Sequence, residues 1–477
     1  MNRLVIENAA VATVDAVGTE HPAGHVVIER GRIAAVGPGP AAELAAGTPA
    51  ADATAGTDAT AGADATDGTV RIDGSGCLAT PGLVNTHHHL YQWLTRGLAT
   101  DATLIEWLVA LYPVWARLDG EAVRAATRAG LGWLALSGCT TTTDHHYVFP
   151  AGTGDLFGVE VAAAREIGLR FHPARGSMDL GQSAGGLPPD QIVEDLDAIL
   201  SATQDAIDRW HDQSYDSMTR VAVAPCSPFS VTTQLLREAA TLARDSGVRL
   251  HTHLAETLDE AEYCRAHHGC DPVEYLDALG WLGPDVWLAH AIHLDERAVK
   301  RLGETGTAVA HCPSSNARLG AGSAPVRALL DAGVAVGLGV DGPASQESGM
   351  LVEELRQALY TARLRSGGGP SALSARVALE LGTMGGARCL GRDGELGSLE
   401  VGKLADVALW DLRGLGHAGI DDPVAALVLG PPAPLRLLTV GGVPVVEDGT
   451  LRTADVDEVV ADARAASHRL LAGGADR

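Results

Sequence analysis

The feature that most constrains the fold is an alternation of short apolar runs with longer segments of helical periodicity, which starts near residue 78. Eight such β/α units in series over roughly 250 residues are typical of a closed parallel barrel. An open doubly wound sheet would instead favour ligands at one switch point and a glycine-rich first turn. We therefore predict an α/β fold of the (β/α)8 TIM-like type. The predicted strands are residues 78–85, 139–144, 169–175, 220–226, 248–253, 286–290, 307–311 and 334–341.

Nearly every predicted strand ends in a side chain that can take part in chemistry. A barrel of this type collects its active site at the carboxyl ends of all its strands, so these side chains are expected to converge. The pattern favours the barrel over the open sheet. The strand-end residues are His87, His89, Asp144, Arg175, Cys226, His253, His290, His311 and Asp341.

Both ends of the chain consist of short predicted strands, and neither end is large enough to form a core alone. We expect them to pack together as one small β-sandwich domain. The predicted units are 1–79 and 393–455 for the two parts of the sandwich, 80–392 for the barrel and 456–477 for a terminal helix. Residues 37–70, rich in Ala, Gly, Thr and Asp, are predicted to form a mobile surface loop.

Composition restricts the class of partner. The formal net charge of −25 disfavours nucleic acid and anionic membranes, and no apolar run is long enough for a spanning helix. Seven scattered cysteines without a CxxC pair fit reduced thiols, and the first residues do not resemble a signal peptide. We therefore predict a cytoplasmic protein with no nucleic-acid or membrane partner.

Three short motifs indicate a metal site. His87 and His89 lie two residues apart on a predicted strand, so their imidazoles share one face and can share one ion. His253 is nearer its strand end than His251, which makes it the better ligand. Asp341 follows an almost wholly apolar strand and is costly to bury unless a metal ion or a histidine accompanies it.

Two further residues have positions suited to proton transfer. Glu256 lies about one turn beyond His253, where a carboxyl group can face a substrate. His290 ends the sixth predicted strand, and beside Asp341 it could orient and deprotonate a water molecule. These positions predict Glu256 and His290 as catalytic residues.

Together these motifs resemble the amidohydrolase superfamily. The similarity is carried by PGLVNTHHH at 81–89, HLAE at 253–256, AH at 289–290, HCPSSN at 311–316 and GVD at 339–341. A further stretch, GSLEVGKLAD at 397–406, is similar to the segment by which the family's chain re-enters its β-sandwich. The resemblance covers essentially the whole chain.

The resemblance implies how many metal ions the site holds. Binuclear members bridge two metals with a carboxylated lysine from a barrel strand, but the only lysines here, Lys300 and Lys403, lie outside all eight predicted strands. The mononuclear deaminase branch is therefore indicated, with one divalent ion, Zn²⁺ or alternatively Fe²⁺. The implied ligands are His87, His89, His253 and Asp341.

The resemblance also implies the reaction and the partner. Water activated by the metal attacks an amino-bearing ring carbon, Asp341 and His290 take its proton, and Glu256 protonates the adjacent ring nitrogen. The closer similarity is to the 8-oxoguanine deaminases and triazine-type aminohydrolases. It includes THHHLYQ at 86–92, SGCT at 137–140 and APCSPF at 224–229. The expected partner is a small heterocyclic substrate, and the enzyme is expected to form a homo-oligomer, as family members commonly do.

Several alternatives remain open at this stage. Triazine aminohydrolase or chlorohydrolase activity, deamination of guanine, a pterin or isocytosine, and a non-catalytic scaffold role are all compatible with the fold. The scaffold is disfavoured because every motif residue of the metal site is present. The candidate substrate-binding residues are Gln92, Tyr147, Arg175, Cys226, His311 and Gln346.

Overall fold

The structure is a computed structural model that describes residues 3–41, 68–365 and 369–473. The predicted loop at 37–70 lies mostly outside the described residues. The strands are β1 (Arg3–Ala12), β2 (Glu20–Glu29), β3 (Arg32–Pro38), β4 (Thr69–Asp73), β5 (Cys77–Pro81), β6 (Leu83–Asn85), β7 (Cys139–His146), β8 (Arg170–Ser177), β9 (Ala222–Pro225), β10 (Arg249–Leu254), β11 (Val286–His290), β12 (Ala308–His311), β13 (Val336–Leu338), β14 (Val407–Asp411), β15 (Leu435–Val440), β16 (Val443–Glu447) and β17 (Thr450–Leu451).

The α-helices alternate with the strands of the central part of the chain. They are α1 (Leu104–Trp115), α2 (Gly120–Leu136), α3 (Leu156–Ile167), α4 (Leu196–Trp210), α5 (Thr233–Asp245), α6 (Leu258–His268), α7 (Pro272–Ala278), α8 (Glu296–Thr305), α9 (Pro313–Arg318), α10 (Val326–Asp331), α11 (Leu351–Arg365), α12 (Ala375–Glu380), α13 (Gly386–Cys389), α14 (Pro423–Leu429) and α15 (Val456–Ala472). Among the described helices, none combines the length and the apolar character that crossing a membrane requires.

The strands β6 to β13 form a closed barrel in chain order, with β13 paired to β6. Every ladder within the barrel is parallel, because a helical segment returns the chain to the same end before each new strand. The predicted (β/α)8 barrel is confirmed. All eight carboxyl ends therefore open onto one face.

The two chain ends form a second, nine-stranded sheet in the order β17-β16-β15-β14-β5-β1-β2-β3, with β4 paired to β1. Its buried face includes Ile6, Ile28, Leu409 and Leu437, which come from both ends of the chain. A separate β domain built from the two ends was predicted and is confirmed.

The first predicted strand, 78–85, is divided between the two sheets. Cys77–Pro81 pairs with β14 in the terminal sheet, whereas Leu83–Asn85 belongs to the barrel. Gly82 lies at the crossing, where a Cβ atom would fall 2.2 Å from the Thr140 side chain. The chain thus passes from one sheet to the other at a residue where the space beside Thr140 admits only glycine.

A buried ion pair joins the sheet to the barrel. Nε and Nη2 of Arg170, on β8, donate to the two carboxylate oxygens of Asp406 at 2.8 and 3.0 Å. The main-chain carbonyl of Asp406 also accepts a hydrogen bond from the amide of Gly82. The paired contact fixes the barrel against the sheet immediately before the chain enters β6.

Candidate active site

The residues expected to form the site converge at the carboxyl ends of four barrel strands. His87 and His89 follow β6, His253 lies on β10, His290 ends β11, and Asp341 follows β13. All five side chains are buried. The structure thus brings together the proposed metal ligands and His290.

Backbone strain is concentrated at these strand ends. Ala255, His290 and Asp341 adopt left-handed conformations with φ of 54°, 71° and 61°. Each such non-glycine residue costs of order 1–3 kcal/mol and persists only where the surroundings determine it. The strain turns the chain sharply at the mouth of the barrel.

Three imidazoles and one carboxylate point at a common centre. Nε2 of His89 lies 3.1 Å from Nε2 of His253. Oδ1 of Asp341 lies 3.4 Å from Nε2 of His87 and 3.3 Å from Nε2 of His89. The ring nitrogens of His87, His89 and His253 lie within 4.8 Å of one another and of a ring nitrogen of His145, and the carboxylate of Asp341 reaches two of these rings.

Hydrogen bonds on the far side of each ring fix which nitrogen faces the centre. Nδ1 of His89 donates to the carbonyl oxygen of His145 at 2.7 Å, and Nδ1 of His253 donates to that of Cys226 at 2.6 Å. A carbonyl oxygen can only accept, so Nδ1 carries the proton in both rings. Nε2 then presents a lone pair to the centre.

His87 is oriented through a second histidine. Nδ1 of His251 lies 2.8 Å from the carbonyl oxygen of Trp287 and must donate to it, which leaves Nε2 of His251 as an acceptor. Nδ1 of His87 donates to that nitrogen at 2.8 Å. Nε2 of His87 is then unprotonated, and it is buried with no hydrogen-bond partner among the described residues.

These donors fit a divalent metal ion. Burial lowers the pKa of all three imidazoles, that of His89 to about 4, so the rings are neutral. Three lone pairs and a carboxylate that converge without a donor require a cation, and this set suits zinc or ferrous iron.

Two hydroxyl groups position the carboxylate of Asp341, and a side-chain amide positions the ring of His290. Oδ2 of Asp341 accepts from Ser315 at 2.5 Å and from Ser345 at 3.3 Å. Nδ1 of His290 lies 2.9 Å from Oδ1 of Asn316, and its Nε2 lies 4.0 Å from Oδ2 of Asp341. An amide oxygen can only accept, so Asn316 keeps Nδ1 protonated and turns Nε2 of His290 toward the site.

Glu256 lies beside His290, with Oε1 3.7 Å from Nε2 of that ring. Its backbone is held by Glu260, which accepts hydrogen bonds from the amides of Ala255 and Glu256 at 2.8 and 3.0 Å. Burial raises the pKa of Glu256 to about 7, with Asp341 adding to the rise and His290 opposing it. Glu256 can therefore exchange a proton near neutral pH.

A cavity lies above the cluster, between the barrel mouth and α1. Gln92, Tyr147 and Cys226, all expected as substrate contacts, line this cavity. Oε1 of Gln92 is buried without a hydrogen-bond partner among the described residues. The other lining residues are His89, Leu104, Trp107, Leu108, Tyr112, Ser227, Phe229, His253, Glu256, His290, Leu319, Asp341 and Ser345.

Three expected substrate contacts do not line the cavity. The Arg175 guanidinium pairs with Glu194 at 2.7 Å and lies over the ring of Phe149. Gln346 donates to Glu354 at 2.8 Å. Both ring nitrogens of His311 are buried without a hydrogen-bond partner among the described residues. Arg175, Gln346 and His311 are thus not among the residues that line this cavity, and their contact with a substrate stays a prediction.

Sequence reasoning did not assign roles to three residues that support the site, namely Glu260, Ser315 and Asn316. The sequence contains some signals, since Glu260 lies one helical turn after Glu256, and Ser315 and Asn316 belong to the HCPSSN motif. No residue pattern indicates which ring nitrogen His251 would contact. That role depends on the packing of neighbouring strands.

The fold and the site define a metal-dependent barrel hydrolase, and the comparisons agree. The model of the amidohydrolase family matches residues 78–445, and the chain belongs to this family. It is 47% identical over 395 residues to the 8-oxoguanine deaminase of Pseudomonas aeruginosa, covering 82% of this chain and 87% of that one. It is 38% identical to an isoxanthopterin deaminase from an unknown prokaryotic organism, covering 83% and 86%.

The solved structures give the same result. The zinc complex of atrazine chlorohydrolase from Arthrobacter aurescens superposes with a TM-score of 0.88 at 33% identity, covering 97% of this chain and all of that one. The expected membership of the amidohydrolase superfamily is confirmed. The chain is accordingly an enzyme of the hydrolase class that acts on carbon–nitrogen bonds.

Proposed function

We propose that this enzyme deaminates an aminated N-heterocycle by hydrolysis and that its substrate is 8-oxoguanine, which reacts with water to give urate and ammonia. The observation that carries the substrate is the 47% identity to a relative named 8-oxoguanine deaminase. The identity extends over 82% of this chain.

The proposal assigns His87, His89, His253 and Asp341 as the ligands of one divalent ion, with zinc as the metal. Their inward lone pairs support the ligand set, and the zinc complex of the atrazine chlorohydrolase supports the metal. When bound, such an ion lowers the pKa of a water molecule to about 7 and so supplies a nucleophile at neutral pH.

The chain's own residues manage the protons. Asp341 and His290 accept the proton of the attacking water, since Oδ2 and Nε2 lie on the same side of the cluster, 4.0 Å apart. Glu256 enters the reaction protonated and donates to the ring nitrogen next to the amino-bearing carbon. Its raised pKa of about 7 supports this role, because the acid form is then populated at neutral pH.

Gln92 is the proposed contact for the purine edge. Its Oε1 is buried, lies at the cavity and lacks a partner among the described residues, so it can accept from a ring N–H. Tyr147 and Cys226 bound the same space. The site is completed on the opposite side by apolar residues of α1, including Leu104 and Leu108, which exclude water.

The test is turnover by the purified protein after metal analysis. We expect 8-oxoguanine to give urate and ammonia with a kcat/KM at least about tenfold above that for guanine, isoxanthopterin or an aminotriazine. Preferential turnover of a triazine or a pterin would replace the substrate assignment while leaving the deaminase site intact. Chelation should abolish activity, and Zn²⁺ or Fe²⁺ added back should show which metal restores it.

A pair of isosteric variants tests the role of Glu256. Glu256→Gln removes the proton and should lower kcat by about 10²–10⁴-fold. Glu262→Gln, an exposed position on α6, is the matched control and should retain full activity. A Glu256→Gln enzyme with unchanged kcat would contradict the assignment.

The proposal also places the enzyme in the cytoplasm as a homo-oligomer. All seven cysteines are free thiols, and six of them are buried, which suits a reducing compartment. Light scattering on the purified protein measures the assembly state. A monomer at micromolar concentration would contradict this part of the proposal.

A further inference from the structure

A second cluster of metal-ligating side chains lies behind the barrel wall. Asp144 and His146 are on β7, and Glu160 is on α3, the helix that follows. All three side chains are 0% exposed. One potential ligand atom from each lies within 4.8 Å of the other two.

The ring of His146 presents a lone pair to the two carboxylates. Its Nε2 lies 3.0 Å from the carbonyl oxygen of Val148, and because a carbonyl can only accept, Nε2 carries the proton. Burial lowers the pKa of His146 to about 4, so the ring is neutral. Nδ1 is therefore unprotonated, and it faces Oε1 of Glu160 at 3.8 Å.

The cluster contains acceptors without donors. Oδ2 of Asp144, both carboxylate oxygens of Glu160 and Nδ1 of His146 are buried without a hydrogen-bond partner among the described residues. Oδ1 of Asp144 has one partner within the described part of the chain, the amide of Leu90 at 2.5 Å. Within the described part of the chain, the only ion-pair contact of either carboxylate is with His146.

Such a cluster needs positive charge, either from protons or from a bound cation. Burial raises the pKa of Asp144 well above its usual range and that of Glu160 to about 7, so both carboxyl groups hold protons readily when no metal is bound. Two buried carboxylates without compensation are strongly unfavourable, and a lone pair directed at them adds repulsion. One proton shared between Asp144 and Glu160 leaves Nδ1 of His146 without a donor, and a second proton on Glu160 is needed to supply one. A single divalent ion can satisfy all three groups at once.

We propose that Asp144, His146 and Glu160 form a second, structural site for a divalent transition-metal ion. One imidazole and two carboxylates are a donor set that suits Zn²⁺, Mn²⁺ or Fe²⁺. The hydrogen bond from Nε2 to the Val148 carbonyl is the arrangement that usually orients a metal-binding histidine. The cluster shares no residue with the proposed catalytic ligands.

The location indicates what the ion does. It ties α3 to β7 through Glu160, and through Asp144 it holds the amide of Leu90, the residue that follows His89. The carbonyl of His145, between Asp144 and His146, accepts the hydrogen bond that orients His89. A metal at this site therefore stabilises both chain segments that position one catalytic ligand.

The test is a metal count on the full-length protein reconstituted separately with Zn²⁺ and Mn²⁺. We expect about two equivalents in the wild type and about one in Glu160→Gln and Asp144→Asn, which keep the side-chain volume. Glu354→Gln, a change at an equally buried glutamate outside both clusters, should retain about two. Anomalous diffraction from wild-type crystals should show an ion between Asp144, His146 and Glu160.

Several results would overturn the site. One is a single equivalent in the reconstituted wild type, which would mean that protons neutralise the cluster. Another is an unchanged second equivalent in both variants, or an anomalous peak elsewhere, which would place the ion at other residues. The wild-type count and the diffraction decide the question even if a variant does not fold.

Discussion

Nδ1 of His87 donates a hydrogen bond to Nε2 of His251 at 2.8 Å, and His251 in turn donates to the carbonyl of Trp287. The His251 ring also stacks on Trp287 at 4.4 Å. A histidine one layer below the site therefore determines the proton position on a proposed ligand. Because Nδ1 of His87 is occupied, only Nε2 is free to bind a metal.

Substituting His251 should weaken metal binding at His87 without removing a proposed ligand. We expect His251→Ala to lower the affinity for Zn²⁺ by about 10–100-fold, since His87 loses its acceptor and its fixed orientation. Competition with a chelator measures the affinity. His293→Asn, at a half-buried histidine outside the cluster, is the control and should bind zinc as the wild type does. Equal affinities in His251→Ala and wild type would refute the relay.

The raised pKa of Glu256 predicts the alkaline side of the pH profile. Glu256 must be protonated to donate, and the acid form predominates below its pKa of about 7 and is lost above it. We therefore expect kcat/KM to fall about tenfold per pH unit above pH 7. Rates measured from about pH 5.5 to pH 9 test this; a plateau extending to pH 9 would exclude Glu256 as the acid.

Glu260 should affect the rate through position alone. Its carboxylate accepts from the amides of Ala255 and Glu256, and Ala255 adopts a left-handed conformation that needs such support. Glu260→Gln replaces one acceptor oxygen by an NH2 group, so one of the two hydrogen bonds is lost. We expect kcat to fall about tenfold while KM and metal content stay near wild type. A change confined to KM would indicate a different role.

The barrel could be predicted because its strands carry apolar residues in short runs. The residue at which the chain leaves the terminal sheet and enters the barrel could not be predicted. The apolar run continues through Pro81 and Gly82, and nothing in it shows that the pairing partner changes from β14 to β7. The pairing depends on the opposite end of the chain. A local pattern does not contain that information.

The candidate ligands are visible as motifs, but substrate contacts depend on which face of a strand each residue occupies. Arg175 and His146 are register partners on β8 and β7. Ala174 belongs to an apolar cluster with Ala222 and Ala224, so Arg175, one residue later, faces the other side and reaches Glu194. Position at a strand end therefore does not by itself show which side of the barrel wall a side chain occupies.

The proposed role of Gln92 can be tested by changing Gly342, the residue against which its side-chain amide packs. A Cβ atom on Gly342 would lie 1.7 Å from Oε1 of Gln92, so Gly342→Ala must displace the amide from its position at the cavity. We expect KM for 8-oxoguanine to rise about tenfold, the effect of losing one hydrogen bond, with metal content unchanged. Gln92→Ala should raise KM to a similar extent, and the double variant should add little, because both changes remove the same contact.

Gly394→Ala, where a Cβ atom would meet nothing within 4 Å, is the control. If Gly342→Ala lowered kcat at constant KM, the displaced group would be Asp341, its neighbour in the chain, and Gln92 would have no part in binding the purine edge.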